Sequence, residues 1–451
     1  MKKHLFKLLT FVFCMALFLT GCASLSGVKI DGKDAYFQDV QYSQGHVLKV
    51  GDYLFYGNGY TASDSEGFSY KKAKNSGYLA RINLKDGLTF DQDVKDVNKK
   101  HSSPENIQKV NGDKLIGYQY QDMYALGEYI YFTSANTHKT SDMENDYARV
   151  SLFRVKYNGD GFKELVKNSA FKTGEGSSIT LQKGSDDNYY FLIAEPTEES
   201  TFTIKSLKVG DKIGELKTIV EDAKTYVLGD NNSTIKNVVY TVDSEKEQTT
   251  TSIKSVDFAT GDETTIDNGE AGSETKLIDR VGDSIFYSYT MDSITEVYKI
   301  SATSNNGYAP NSNKYFYPAS TISNIYKAGD GFVFKTEGGA LMYHDGSNAD
   351  PVKLAKNDEY SDILFTQEDY VYISNSTTIK RVSTIDQEVE TIVEVTDMVS
   401  GQCGYADGYI YFYSKLGELE LDDEEEKTTD DNYYMYRTDL TGNIQLIGQT
   451  L

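Results

Sequence analysis

The chain has 451 residues, with 45 basic and 68 acidic side chains and a net charge of −23 at pH 7. A surface this acidic repels nucleic acid, so no nucleic-acid partner is expected. With three cysteines and no Trp, but 36 Tyr and 21 Phe, the fold must be held by a Tyr- and Phe-rich core rather than by a disulfide framework.

Residues 1–21 read as a lipoprotein signal peptide. Lys2, Lys3 and Lys7 form a positive start, and Leu8 to Leu19 is an apolar run too short to span a bilayer. Leu19-Thr20-Gly21-Cys22 then has the form of a lipobox, with small Gly21 before the acyl-accepting thiol of Cys22. The expectation is lipid attachment at Cys22, palmitate included, with the chain held to the cell membrane on its extracytoplasmic face. Cys14 leaves with the signal. Cys403, whose surroundings GQCGYADG lack a base, reads as a small buried residue.

Residues 22–46 comprise the lipidated cysteine, a short tether and an entry segment, in which Val28 to Gln44 holds a strand or two. From 47 to 451 one two-part phrase recurs eight times. A Gly/Asp turn leads into an aromatic strand, as in GDYLFY from Gly51, GEYIYF from Gly127, GDSIFY from Gly282, EDYVYI from Glu368 and DGYIYF from Asp407. A second strand with a central basic residue follows, as in LFRVKYNGDG from Leu152 and MYRTDLTGN from Met435. The aromatic strands centre near Tyr53, Tyr129, Tyr189, Val238, Ile285, Phe332, Tyr370 and Tyr409, and the later spacings are roughly 40–50 residues, the length of a four-stranded propeller blade.

These strands are apolar on both faces, as strands between stacked blades must be. The fold class expected is all-β, a β-propeller of about eight four-stranded blades. Seven remains open, because Lys172 to Val220 and Asp222 to Ile266 lack the crisp aromatic half. Closure is preferred over an open array of hairpins because a ring leaves no exposed sheet edge. A polar insertion, Phe90 to Gly117, lengthens the first repeat.

In these phrases the chain resembles bacterial surface propellers of an uncharacterised family, distantly similar to the YWTD propellers of low-density-lipoprotein receptors. The nearest match to YWTD is Tyr131-Phe132-Thr133-Ser134, which departs at two positions. The resemblance implies binding or scaffolding and no catalytic residues.

Candidate chemistry is sparse. HExxH, paired Cys and GxSxG are missing, and His46, His101, His138 and His344 stand alone in sequence. Ser63 to Phe68 is a degenerate echo of a sialidase Asp-box. Asn158 to Asp160, Ser185 to Asn188 and Asp345 to Asp350 have the oxygen chemistry of calcium loops, but the same residues also suit plain turns, so a metal is left open. The run Glu418 to Asp431 is either a solvated hairpin loop, a cation site or a dock for a basic partner. Tyr60, Tyr70, Tyr308 and Tyr360 are candidates for a loop platform or for core. Arg81, Arg149, Arg154, Arg280, Arg381 and Arg437 mostly fall in the second-strand phrase, which suggests a repeated structural use.

The function expected is that of a non-catalytic binding or scaffold module for an envelope protein or glycan ligand, with no cofactor and no catalytic residue, and with the membrane as partner through Cys22. The alternative is a propeller hydrolase or lyase acting on polysaccharide.

Overall fold

The computed structural model describes residues 27–43, 45, 47–58, 60–61, 78–84, 108–110, 123–135, 149–165, 171–172, 176–210, 215–229, 233–244, 250–302, 314–316, 322–346, 350–395, 397–399, 403–414 and 432–447. Among these residues there is no helix, so none that could cross a membrane. They form eight antiparallel sheets built on four successive strands each, plus a small N-terminal hairpin, Lys29–Ile30 with Lys33–Asp34.

Each sheet is one blade. The second strands of blades 1 to 8 are Tyr53–Asn58, Tyr129–Ala135, Tyr189–Pro196, Asn237–Asp243, Ser284–Met291, Gly331–Thr336, Tyr370–Ser374 and Tyr409–Ser414. Every aromatic-strand position expected from the sequence lies in one of them, in order. The two weak repeats are complete blades as well. Blade 3 spans Ser178–Ala223, and blade 4 spans Tyr226–Asp267.

First strands of neighbouring blades approach one another around the axis between blades 8, 1 and 2 and between blades 4, 5, 6 and 7. Each of the eight apolar clusters joins one blade to the next. Leu48 and Phe132 meet between blades 1 and 2, Phe191 and Tyr124 between 2 and 3, and Leu192 and Val238 between 3 and 4. Ile253 and Tyr287 link 4 to 5, Phe286 and Phe334 link 5 to 6, and Val333 and Val371 link 6 to 7. Phe412 and Ile379 join 7 to 8, and Tyr411 and Leu54 join 8 to 1.

Eight blades with eight seams make a closed ring, where an open array would have one seam fewer. The closing seam between blades 8 and 1 shares no blade strand. Among its polar fastenings are the Tyr413 hydroxyl, which donates to Gly57 O at 2.9 Å, the Lys49–Asp407 ion pair, and a short edge pairing of Tyr60–Thr61 with Asn432–Tyr433.

The ring has two unlike faces. On one, first and second strands are joined by tight turns such as Gly51-Asp52, Gly282-Asp283, Gly329-Asp330, Glu368-Asp369 and Asp407-Gly408. Each begins with a residue of positive φ, the conformation that favours glycine. The opposite face carries the connections from second to third strand and from blade to blade.

The entry segment does more than lead in. Its strand Phe37–Tyr42 runs antiparallel along the first strand of blade 2, Met123–Gly127, and adds a fifth strand on the axial side of that blade.

Candidate functional site

A cavity of about 580 Å³ lies against the axial side of blades 3 to 5. Its wall comes from the first strands of those blades, Ser178–Lys183, Tyr226–Val227 and Glu274–Val281. Strand alternation decides which side chains reach it. On Ser178–Lys183, Leu181 turns into the seam with blade 2, while Ser178, Thr180 and Gln182 occupy the other parity and line the cavity.

Two aromatic rings form its apolar part. Phe202 and Tyr226 meet edge to face with centroids 4.9 Å apart. The Tyr226 hydroxyl donates to Gly176 O, and burial pushes this phenol well above its usual range, so it stays neutral. Gly176 has φ +76°, and a Cβ there would come within 2.8 Å of the Phe202 ring. A glycine is therefore required beside the aromatic pair. The Gln182 amide donates to Gly229 O and ties blade 3 to blade 4.

The charged pair in the wall, Asp279 and Arg280, is structural. The Arg280 guanidinium donates to Asn237 O at 2.8 Å, Asn237 Oδ1 at 3.0 Å, Ser233 Oγ at 2.6 Å, Ile235 O at 2.9 Å and Gly282 O at 3.1 Å. Asp279 accepts from the amides of Arg280 and, in blade 6, Ile325. Both are spent on holding neighbouring strands.

The expected site residues fall elsewhere. Arg81, Arg154, Arg381 and Arg437 sit on third strands and stack on Tyr53, Tyr129, Tyr370 and Tyr409 of the same blade, the repeated structural use that the sequence suggested. Arg149 also lies on a third strand, whereas Arg280 is on a first strand, outside the phrase.

His344 is the one histidine among the described residues. It is buried in blade 6, and its Nδ1 accepts from Gly346 N at 3.0 Å. Tyr360, a candidate for a loop platform, is core, with its hydroxyl donating to Gly339 O at 2.9 Å. Cys403 is buried between blades 7 and 8, where burial pushes its thiol up.

The described oxygen-rich loops satisfy themselves. The Asn158 amide donates to Asp160 at 2.8 Å, and Asp160 N donates back at 3.1 Å. Burial by itself would raise the Asp186 carboxyl, but donors on Asn188, Tyr190 and Lys208 outweigh it and hold it at about 2. Among the described residues no group of three or more His, Cys, Asp or Glu is placed to hold a metal. Cys22, Ser63 to Phe68, Tyr70, Tyr308, Ser347 to Ala349 and Glu418 to Asp431 lie outside the described residues.

Sequence reasoning missed the cavity. Ser178, Thr180 and Gln182 read as an ordinary alternating strand, and the first strand of blade 4 has only two residues.

No protein-family model matches the chain, and no curated protein matches it. Solved structures do. A Mycobacterium tuberculosis puromycin-hydrolyzing peptidase is similar at 11% identity over 82% of this chain and 58% of its own, with a TM-score of 0.43. The β-propeller domain of the Trilobed protease from Pyrococcus furiosus is similar at 10% identity over 90% of this chain and 98% of its own, with a TM-score of 0.37. A Pyrococcus horikoshii acylaminoacyl peptidase is similar at 12% identity over 72% and 51%, with a TM-score of 0.40.

The chain thus spans little more than half the length of these two peptidases. At such identities the likeness is one of fold. It nevertheless corrects the expected function. Neither a non-catalytic binding or scaffold module for a protein or glycan, nor a hydrolase or lyase of polysaccharide, is what these propellers belong to: they are parts of a protease and of peptidases.

Proposed function

We propose that this ring serves peptide hydrolysis, its axial cavity receiving an extended oligopeptide as substrate while the hydrolytic groups come from outside the described residues. One observation carries the reading. An extended segment of this same chain, Phe37–Tyr42, is already added to an axial strand edge at blade 2. It reaches the first strand of blade 3, since the Tyr42 hydroxyl donates to Leu181 O at 3.0 Å.

An inner strand edge offers backbone donors and acceptors in a row, which suits an extended polypeptide better than a sugar. The Phe202–Tyr226 pair supplies an apolar seat for a side chain, and Ser178, Thr180 and Gln182 supply polar ones.

The test is oligopeptide cleavage by cells carrying the wild-type chain, a Thr180→Phe chain or no chain, beside oligopeptide binding to each purified chain. Thr180→Phe fills the cavity and should abolish binding and lower cleavage to the level of the deletion. Cleavage that is indifferent to loss of the chain would remove the reading.

We further propose that Cys22 carries acyl chains that hold the mature chain at the extracytoplasmic face of the membrane. The lipobox supports this, and two chains suffice for stable anchorage. Metabolic labelling with an alkyne fatty acid should mark the wild type and spare Cys22→Ala.

A further inference from the structure

We infer that the face of the ring bearing the tight Gly/Asp turns lies against a lipid bilayer, with Tyr36, Tyr370, Ile385 and Val389 seated in its interfacial layer. The inference rests on the acyl anchor at Cys22 proposed above and goes beyond it by naming the face.

Three observations converge. The chain enters the ring on this face. The N-terminal hairpin sits over the first turn of blade 1, so close that a Cβ on Gly51 would meet Lys29 O at 2.6 Å. Roughly seven residue steps separate Cys22 from Lys29, and at ~3.5 Å each they reach no further than about 25 Å. An anchor on so short a tether holds this face at the bilayer and turns the other outward.

The second observation is where exposed apolar side chains occur. Among the described residues six large ones are exposed: Tyr36, Ile294, Val352, Tyr370, Ile385 and Val389. Five fall on the tether's face. Tyr370 begins a second strand, Val352 and Val389 begin fourth strands, and Ile385 lies in the turn between the third and fourth strands of blade 7. Tyr36 precedes Phe37, which pairs with Gly127 at the same end of blade 2. Only Ile294, at the hairpin of blade 5, points from the opposite face. Single exposed apolar residues are ordinary, but their gathering on one face of a disc is not. Tyr and aliphatic side chains at such a level suit the boundary between headgroups and acyl chains.

Third, much of the charge on this face is paired. Lys156 meets Glu128 at 2.8 Å, Lys183 meets Asp187 at 3.3 Å, Lys208 meets Asp186 at 3.3 Å, and Lys49 meets Asp407. The first-to-second-strand turns described on this face are also short. The occupant is accordingly a zwitterionic bilayer surface, since the acidic chain gains nothing from anionic headgroups.

The absence of Trp makes a direct test available. Tyr36→Trp, Ile385→Trp and Ile294→Trp each introduce a single fluorophore at an exposed position that tolerates change. The mature chain is prepared in two forms, as purified from cells and as unlipidated protein coupled at Cys22 to a maleimide phospholipid, with Cys403 protected by burial. Both are placed on phosphatidylcholine vesicles containing brominated acyl chains.

Several-fold stronger quenching of the Trp at 36 and 385 than of the Trp at 294 is the expected result. Equal quenching at all three positions, or none at 36 and 385, overturns the inference. Flotation of the cell-derived form reads the anchor separately. If that form fails to float, the acylation reading falls, while the chemically coupled form still decides the face.

Discussion

The arc of blades 7, 8, 1 and 2 and the arc of blades 3 to 6 reach the same geometry by different means. In the first arc every blade opens its second strand with a tyrosine and stacks an arginine of its third strand on that ring. The guanidinium lies 5.0 Å from the Tyr370 centroid, 4.1 Å from Tyr409, 4.6 Å from Tyr53 and 4.3 Å from Tyr129. The stack is made within a blade, though Arg81 also donates to Tyr157 O of blade 2 at 2.8 Å and Arg154 to Gly210 O beside blade 3 at 3.4 Å, and the phrase repeats because the stacking geometry repeats.

The second arc replaces it with polar pins between blades. Arg280 of blade 5 clasps Asn237, Ser233 and Ile235 beside blade 4, Asp283 accepts from Ser233 Oγ at 2.7 Å and Thr234 N at 2.8 Å, and Asp279 reaches blade 6. The cavity opens in this second arc. Where the sequence is least regular, the inner wall has been freed for something other than repetition.

The comparison is tested most severely by Arg280→Met. The substitution keeps the apolar stem but strands several buried acceptors, and should cost roughly 3–5 kcal/mol in urea unfolding. Arg437→Met removes one stack and the bond to Gln445 Oε1 at 2.8 Å, and leaves the stem packed. Its expected cost is about 1–2 kcal/mol. Equal losses would mean that the two arcs are not held differently.

The same contrast explains what the sequence disclosed. The aromatic second strands were legible because each buries a Tyr or Phe cluster on both faces, as Leu54, Phe55 and Tyr56 do. Even Val238 of blade 4, without the aromatic phrase, was placed by spacing alone. The inter-blade pins were not legible, because Asp279, Arg280 and Asp283 act across repeats and no spacing links Arg280 to Asn237 in advance. The same holds for Phe37–Tyr42, whose pattern FQDVQY gives no sign that it would line the axis, and for the Phe202–Tyr226 pair, brought together from two blades. Local chemistry leaves a periodic trace, and contacts made once by the ring do not.

A smaller effect separates fold from surface. The hydroxyl of Thr441 and the amides of Asn443 and Thr441 hold the Asp439 carboxyl at about 2, against an ordinary value of 3.8. Because the folded value is the lower one, the turn's contribution is complete above pH 3.8 and is lost as pH falls towards about 2. Melting temperatures of the wild type and Asp439→Asn should therefore differ at pH 5 and converge near the bottom of that window. Exposure of the group keeps the difference small.

The mildest change sharpens the regular arc itself. Four of the tight turns begin with glycine, Gly51, Gly127, Gly282 and Gly329, but blade 7 places Glu368 there at φ +52°. A side chain in this region is disfavoured by roughly 1–2 kcal/mol, while glycine costs roughly 0.5–1 kcal/mol through the freedom it adds to the unfolded chain. The first term exceeds the second, so Glu368→Gly should stabilise the protein by about 0.5–1 kcal/mol. The gain should appear as a higher urea midpoint with an unchanged slope. Destabilisation instead would show that the Glu368 side chain makes a contact that outweighs its backbone strain.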